Sequence, residues 1–198
     1  MVTSKTTFYT MNQIKEYLEQ IVKLSDKDWE IFSSKLKKVE CNKRTTLLKK
    51  GAIENHLNFI EKGSIRLFIP KEENDITFGF CFKGQFMSAY DSFLTQLPST
   101  YQTETLTETT LWRLTFTDLQ DIYKRTEIGN VIGRITAENL FLMKSQRELS
   151  LLNDTAEKRY LNLFTERPQL IKEIPQKYLA SYIGVTPQAL SRIRKRIS

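Results

Sequence analysis

The chain has 198 residues, 40% hydrophobic and 11% aromatic, with 30 Lys plus Arg against 23 Asp plus Glu, a formal charge of +7. This composition describes a folded protein of one or two domains and excludes a disordered one. One histidine (His56) and two cysteines (Cys41 and Cys81) exclude a disulfide scaffold, most metalloenzyme sites and a His-based catalytic triad.

The N-terminal stretch MVTSKTTFYTMNQIKEYLEQ has no apolar core of the kind a secretory signal needs. The longest plainly apolar run, Leu140-Phe141-Leu142-Met143, is far short of the roughly 20 residues of a spanning helix. A cytoplasmic protein with reduced thiols and no membrane anchor is expected. Residues 11–37 read as helical, with Ile14, Leu18, Ile21 and Val22 at three- and four-residue steps. Ser25 or Asp26 is placed to cap a second helix carrying Trp29, Ile31, Phe32 and Leu36.

Residues 39–116 change period. LNFIEKGSIRLFI and ITFGFCF are β-rich, and Gly51, Gly63, Gly79 and Gly84 punctuate them. Gly63 reads as a hairpin turn and residues 71–75 as a second one. The Thr-rich YQTETLTETTLWRL adds further strands, so an antiparallel sandwich or barrel is expected.

From Thr117 the pattern is helical again, and no proline occurs between Pro98 and Pro168. Ile128, Ile132, Ile135, Asn139, Leu142, Gln146, Leu149 and Asn153 follow one another at alternating steps of four and three. Such a heptad seam with polar inserts predicts a long helix that meets a second copy of the chain. Leu140, Phe141 and Met143 lie off the seam, so more than one face is expected to be buried. A core helix within a monomer is the alternative. Gly129 and Gly133 form a GxxxG, a weak signal outside an apolar stretch.

The charge is unevenly placed. Residues 155–198 hold nine basic and three acidic side chains, a net +6, which leaves the first 154 residues at +1. Such asymmetry points to a polyanion or an anionic surface. Within this tail, Leu179, Ala180 and Ile183 mark the buried side of one short helix, and Gly184 suits a left-handed turn. Thr186 and Pro187 suit the cap and first residue of a second helix, whose Leu190 and Ile193 point back at the first. Gln188, Ser191, Arg192 and Lys195 fall on its opposite face. A helix-turn-helix with a basic recognition face follows.

Double-stranded DNA is then the expected partner. Gln188 suits an adenine edge and Arg192 the O6/N7 pair of guanine. Lys177, Arg194, Lys195 and Arg196 suit phosphates, while Thr186 and Ser191 can serve either purpose. Dimerisation would set two recognition helices about 34 Å apart, one turn of DNA.

FIEKGSIRLF, the KGQF turn, TAEKRYLNLF and LASYIGVTPQALSRIRKR together resemble the Crp/Fnr family of bacterial transcription regulators, over nearly the full length. The resemblance implies an α+β fold. An N-terminal antiparallel β-roll (double-stranded β-helix) with flanking helices would span 1–117, a long dimerisation helix 118–154, and a helix-turn-helix domain 155–198. It also implies a homodimer reading a pseudo-palindromic operator, an effector in the β-roll, and contact with RNA polymerase. The sequence ends at Ser198, directly after the recognition helix, so the β-hairpin wing of many members is not expected.

Cyclic-nucleotide-binding members hold their ligand through a Gly-Glu pair and an Arg-Ser/Thr-Ala run. Here Ser88-Ala89 and Ser99-Thr100-Tyr101 stand in those places, and no Lys or Arg lies between Lys83 and Arg113. A buried phosphate needs a charge-assisted partner, so cyclic AMP is not the expected effector. Phe86, Ser88, Ala89, Ser99 and Thr100 are the candidate pocket residues; Phe86, Met87, Tyr90, Phe93 and Tyr101 line a pocket or fill the core. Two cysteines are too few for a four-cysteine iron–sulfur cluster, and His56 reads as structural rather than as a haem ligand. No metal or cofactor is identified. A cupin-like metalloenzyme lacks its histidines, and Lys49-Lys50-Gly51-Ala52 is only a turn. A scaffold acting through protein contacts remains as the alternative to a regulator, and no catalytic residue is assigned.

Overall fold

The structure, a computed structural model, describes residues 3–197, with side chains from Met11 onward; Ser198 lies outside the described residues. Helices α1 (Thr3–Glu19) and α2 (Asp26–Ser33) open the chain. Ile14 and Leu18, one turn apart, are fully buried. Ser25 caps α2 by accepting the Asp28 N–H at 3.1 Å.

Strands β1 (Lys37–Cys41), β2 (Thr46–Leu48), β3 (His56–Lys62), β4 (Ser64–Ile69), β5 (Ile76–Phe82) and β6 (Phe86–Met87) follow. After α3 (Tyr90–Thr95) come β7 (Gln102–Thr105) and β8 (Thr109–Thr115). They form two four-stranded sheets, ordered β1-β8-β3-β6 and β2-β7-β4-β5. The pairs β1–β8, β3–β8, β3–β6 and β2–β7 run antiparallel. Six helical elements complete the chain: α4 (Phe116–Arg125), α5 (Gly129–Asn153), α6 (Ala156–Glu166), α7 (Pro168–Glu173), α8 (Gln176–Tyr182) and α9 (Pro187–Ile197). The fold class is α+β, as expected.

Two local expectations are corrected. Gly63 does not close a hairpin, because β3 and β4 lie in different sheets and the glycine, at φ +100°, carries the chain from one to the other. Residues 71–75 do join sheet neighbours, β4 and β5. The single helix expected over 118–154 is two helices, interrupted at 126–128 without proline. Thr126 is responsible: its hydroxyl donates to the Ile122 carbonyl at 2.8 Å and accepts the Gly129 N–H at 3.0 Å. A side chain that offers the backbone these alternatives ends one helix and starts the next.

The described residues divide into two compact units. The first takes the chain up to Leu67 and 80–138; its core packs Phe59, Phe93, Trp112 and Leu114 with Ile14, Leu18 and Phe32 of the N-terminal helices. The second takes residues 68–79 and those from 139 onward. In it the tip of the β4–β5 hairpin is pinned to α8 by one side chain. The Ser181 hydroxyl accepts the Thr77 N–H at 2.8 Å and donates to the Asp75 carbonyl at 2.7 Å.

Candidate nucleic-acid interface

The helix pair α8–α9 is closed by backbone geometry. Val185 N–H bonds the Ala180 carbonyl at 3.0 Å and Gly184 N–H the Ser181 carbonyl at 3.1 Å, with Gly184 at φ +79°. These two bonds make a Schellman turn, which a glycine enters at little steric cost. Thr186 then starts α9 by accepting the Ala189 N–H at 3.2 Å, ahead of a proline at the first helical position. Leu179, Ala180, Ile183, Leu190 and Ile193 are all buried between the two helices and their neighbours.

That burial fixes which side of α9 faces out. Gln188, Ser191, Arg192 and Lys195 are exposed on the side opposite Leu190 and Ile193, and Arg194 flanks them. Lys177 is exposed at the start of α8, its ammonium 4.7 Å from the Tyr178 ring. Arg196 is exposed but paired, 2.8 Å from Glu157 of α6. The strip presents donors and positive charge without an acidic side chain of its own, which suits a polyanion.

Not all the tail's charge is available to a ligand. Arg159 donates to the Ile183 carbonyl at 2.8 Å, and Arg167 to the Tyr182 hydroxyl at 2.9 Å. Lys158 sits 2.7 Å from Asp154, whose carboxyl it holds below the usual range. From α5, Arg147 donates to the Tyr182 carbonyl at 2.8 Å and lies 3.8 Å over that ring. These arginines knit the second unit together, a role that spacing alone does not reveal.

The seam residues separate into two groups. Ile128 precedes α5 and is buried in the first unit's own core, and Ile132 is packed against that core. Both are engaged within the first unit, Ile128 wholly and Ile132 in part. Ile135 is half-buried and Asn139 exposed. Leu142 and Leu149 are 64% and 56% exposed, with Phe141 at 71% and Leu152 at 76% beside them. Lys144, over the Phe78 ring at 5.1 Å, and Arg147 leave from the other side of α5. From residue 139 on, one face of α5 is thus used within the second unit and an apolar one is open.

Comparison with known proteins shows what the chain is similar to. Residues 38–126 match the family of cyclic nucleotide-binding domains. No curated protein matches the chain. A solved structure assigned to the Crp/Fnr family of transcriptional regulators, from Eubacterium rectale, aligns with a TM-score of 0.68 at 16% identity, over 88% of this chain and 83% of that one. The fold is that of a Crp/Fnr regulator. A CooA mutant from Carboxydothermus hydrogenoformans aligns at 0.66 and 12% identity, over 83% and 77% of the two chains. The c-di-GMP-responsive global regulator CLP of Xanthomonas campestris aligns at 0.65 and 17% identity, over 87% and 91%.

Within the β-roll, two of the polar candidate pocket residues spend their hydroxyls on backbone carbonyls, Ser88 on that of His56 and Ser99 on that of Tyr101, both at 2.9 Å. Ala89, Met87 and Phe93 are buried, Phe86 is half-buried and Thr100 is exposed. Tyr101 donates to Asp91 at 2.6 Å, and burial pushes its phenol well up. The buried guanidinium of the roll is Arg66 of β4, 2.9 Å from Glu104 of β7. Sequence spacing does not reveal it, since the two stand 38 residues apart and only the sheet order joins them. A cation already matched by a carboxylate is a poor phosphate ligand. These residues do not fit a cyclic phosphate. Among the described residues no group of three His, Cys, Asp or Glu is placed to hold a metal ion, and no helix is long and apolar enough to cross a membrane.

Beside the segment lies a buried acid. Glu54, 5% exposed, accepts the His56 N–H at 2.9 Å. Burial pushes its carboxyl up, against backbone donors and Arg113. His56 is pushed down by burial, Arg113 and Lys37, so near neutral pH its 3.9 Å contact with Glu54 is not an ion pair. A raised carboxyl binds its proton more tightly folded than unfolded, so its charge destabilises the fold at neutral pH and this is relieved as pH falls. Glu54→Gln is expected to raise Tm near pH 7, with the gain shrinking toward about pH 5. A Tm difference that grew on acidification, read by thermal melts, would contradict the assignment.

Proposed function

We propose that the chain is a homodimeric, sequence-specific DNA-binding transcription regulator of the cytoplasm, whose β-roll does not respond to cyclic AMP. The observation that carries this reading is the exposed face of α9, with Gln188, Ser191, Arg192 and Lys195 opposite the buried Leu190 and Ile193. The matched family and the Crp/Fnr neighbours, which are regulators rather than enzymes, support it. Gln188 and Arg192 reach base edges in a major groove, and Lys177, Arg194 and Lys195 meet phosphates. Arg196, held by Glu157, contributes less than its charge suggests. Ser191 donates to a base or phosphate; Thr186, its oxygen engaged as a cap, keeps its O–H for a phosphate. The open face of α5 joins two copies, and contact with RNA polymerase belongs to the same reading.

Selection of a binding site from random DNA, followed by titration, tests it. Arg192→Ala is expected to reduce the preference for the selected site over scrambled DNA by roughly 5- to 150-fold, the value of one bidentate base contact. Lys195→Ala should weaken both about equally and shallow the salt dependence. If Arg192→Ala weakened both DNAs alike, the base-reading role would be wrong. Binding unaffected by either change would overturn the interface.

A further inference from the structure

The first unit contains a cleft apart from the DNA face, to which Phe86 and Tyr90 are the candidate effector residues that contribute. Apolar side chains from α1, α2, β3, β6, α4 and α5 line it, and its empty volume, open mouth included, is about 530 Å³. Tyr90 of α3, Tyr123 of α4 and Thr136 of α5 supply its only side-chain polar groups among the described residues, and no charged side chain lines it. The hydroxyls of Tyr90 and Tyr123 have no hydrogen-bond partner among the described residues. Burial raises both phenols, that of Tyr123 to about 12, so both stay protonated as donors. Gly133 gives the Tyr123 hydroxyl its room, since a Cβ there would stand 2.7 Å from it.

The chemistry of this lining selects its occupant. An ion would be stripped of water with no opposite charge to meet it. An apolar body gains from the walls, and an acceptor oxygen gains from two phenol donors that otherwise meet water. We propose that the cleft is a binding site for a small uncharged molecule with an apolar ring and a carbonyl oxygen that accepts from Tyr90 and Tyr123. Gly129 at the start of α5 and Ile122 near the end of α4 both line the cleft, so the occupant bridges the break at 126–128. An effect on DNA binding through α5 rests on the regulator reading above; binding itself does not.

Acetophenone, with ethylbenzene as the same shape without oxygen and benzoate as the charged analogue, probes the site by calorimetry and thermal melts on the full chain without DNA. Acetophenone is expected to bind and raise Tm, ethylbenzene to bind roughly five- to tenfold more weakly, as for one or two net hydrogen bonds, and benzoate not at all. Tyr90→Phe with Tyr123→Phe should abolish the difference between the first two, and Thr136→Trp should plug the cleft. Equal affinity of acetophenone and ethylbenzene for the unaltered chain would overturn the donor role. Acetophenone binding that survives Thr136→Trp, or no binding of either compound, would overturn the site. Operator affinity unmoved by saturating acetophenone would overturn the effector consequence while leaving the site.

Discussion

Leu142→Asp combined with Leu149→Asp is expected to sediment as a folded monomer and to bind a two-half-site operator at least roughly 100-fold more weakly. The two leucines are 64% and 56% exposed, so their replacement removes little from the chain's own core. Together with Phe141, Met143 and Leu152 they put a run of large apolar side chains on one helix, and soluble proteins cover such a patch with a partner. In a symmetric pair each introduced carboxylate would lie near its own copy across the seam, desolvated and beside a like charge. On the proposed dimer reading, losing the second recognition helix turns an intramolecular second contact into a bimolecular one, which removes about 10²- to 10⁴-fold in avidity. Circular dichroism establishes that the fold persists. A variant that stays dimeric refutes the seam; a monomer with unchanged operator affinity refutes the paired reading of DNA.

Features that rest on neighbours along the chain are legible in the amino-acid sequence. The turn at Gly184, the cap at Thr186, the proline after it and the stripes of Leu179, Ile183, Leu190 and Ile193 lie within 15 residues, and each obeys a local rule. Ser25 as a cap is of the same kind. The features that are not legible are non-local or carry no punctuation. Ser181 meets the 75–77 backbone across more than 100 residues, and Arg66 meets Glu104 only because β4 and β7 are neighbours. The break before α5 comes from a threonine, a residue that caps helices but also occurs inside them, so its type alone does not announce a stop. A heptad count runs straight through it and takes in Ile128, which lies in the core. The cleft draws walls from five helices and two strands of the first unit, and no single segment encodes it.

Gly63 shows the same limit in energetic form, and Gly63→Ala carries the largest expected loss of stability. A glycine between two β-rich runs announces a turn but not how crowded the turn is. At φ +100° an L side chain is strained by about 1–2 kcal/mol. The surroundings add more: a Cβ would collide with the Thr109 hydroxyl and stand 2.7 Å from the Glu108 carbonyl and 2.8 Å from the Thr109 Cα. Backbone of this kind cannot swing aside, and overpacking of this order costs about 1–3 kcal/mol. The sum, about 2–5 kcal/mol, is a large part of the roughly 5–15 kcal/mol that ordinary domains possess. Gly51 separates the two contributions, since its φ is +88° and a Cβ there would meet nothing within 4 Å. Gly51→Ala should therefore lose only the backbone share, about 1–2 kcal/mol. Urea unfolding of both variants reads the difference directly. Equal losses at the two positions would mean that Thr109 gives way and that β3 passes to β4 through open space, not through a close crossing of backbone.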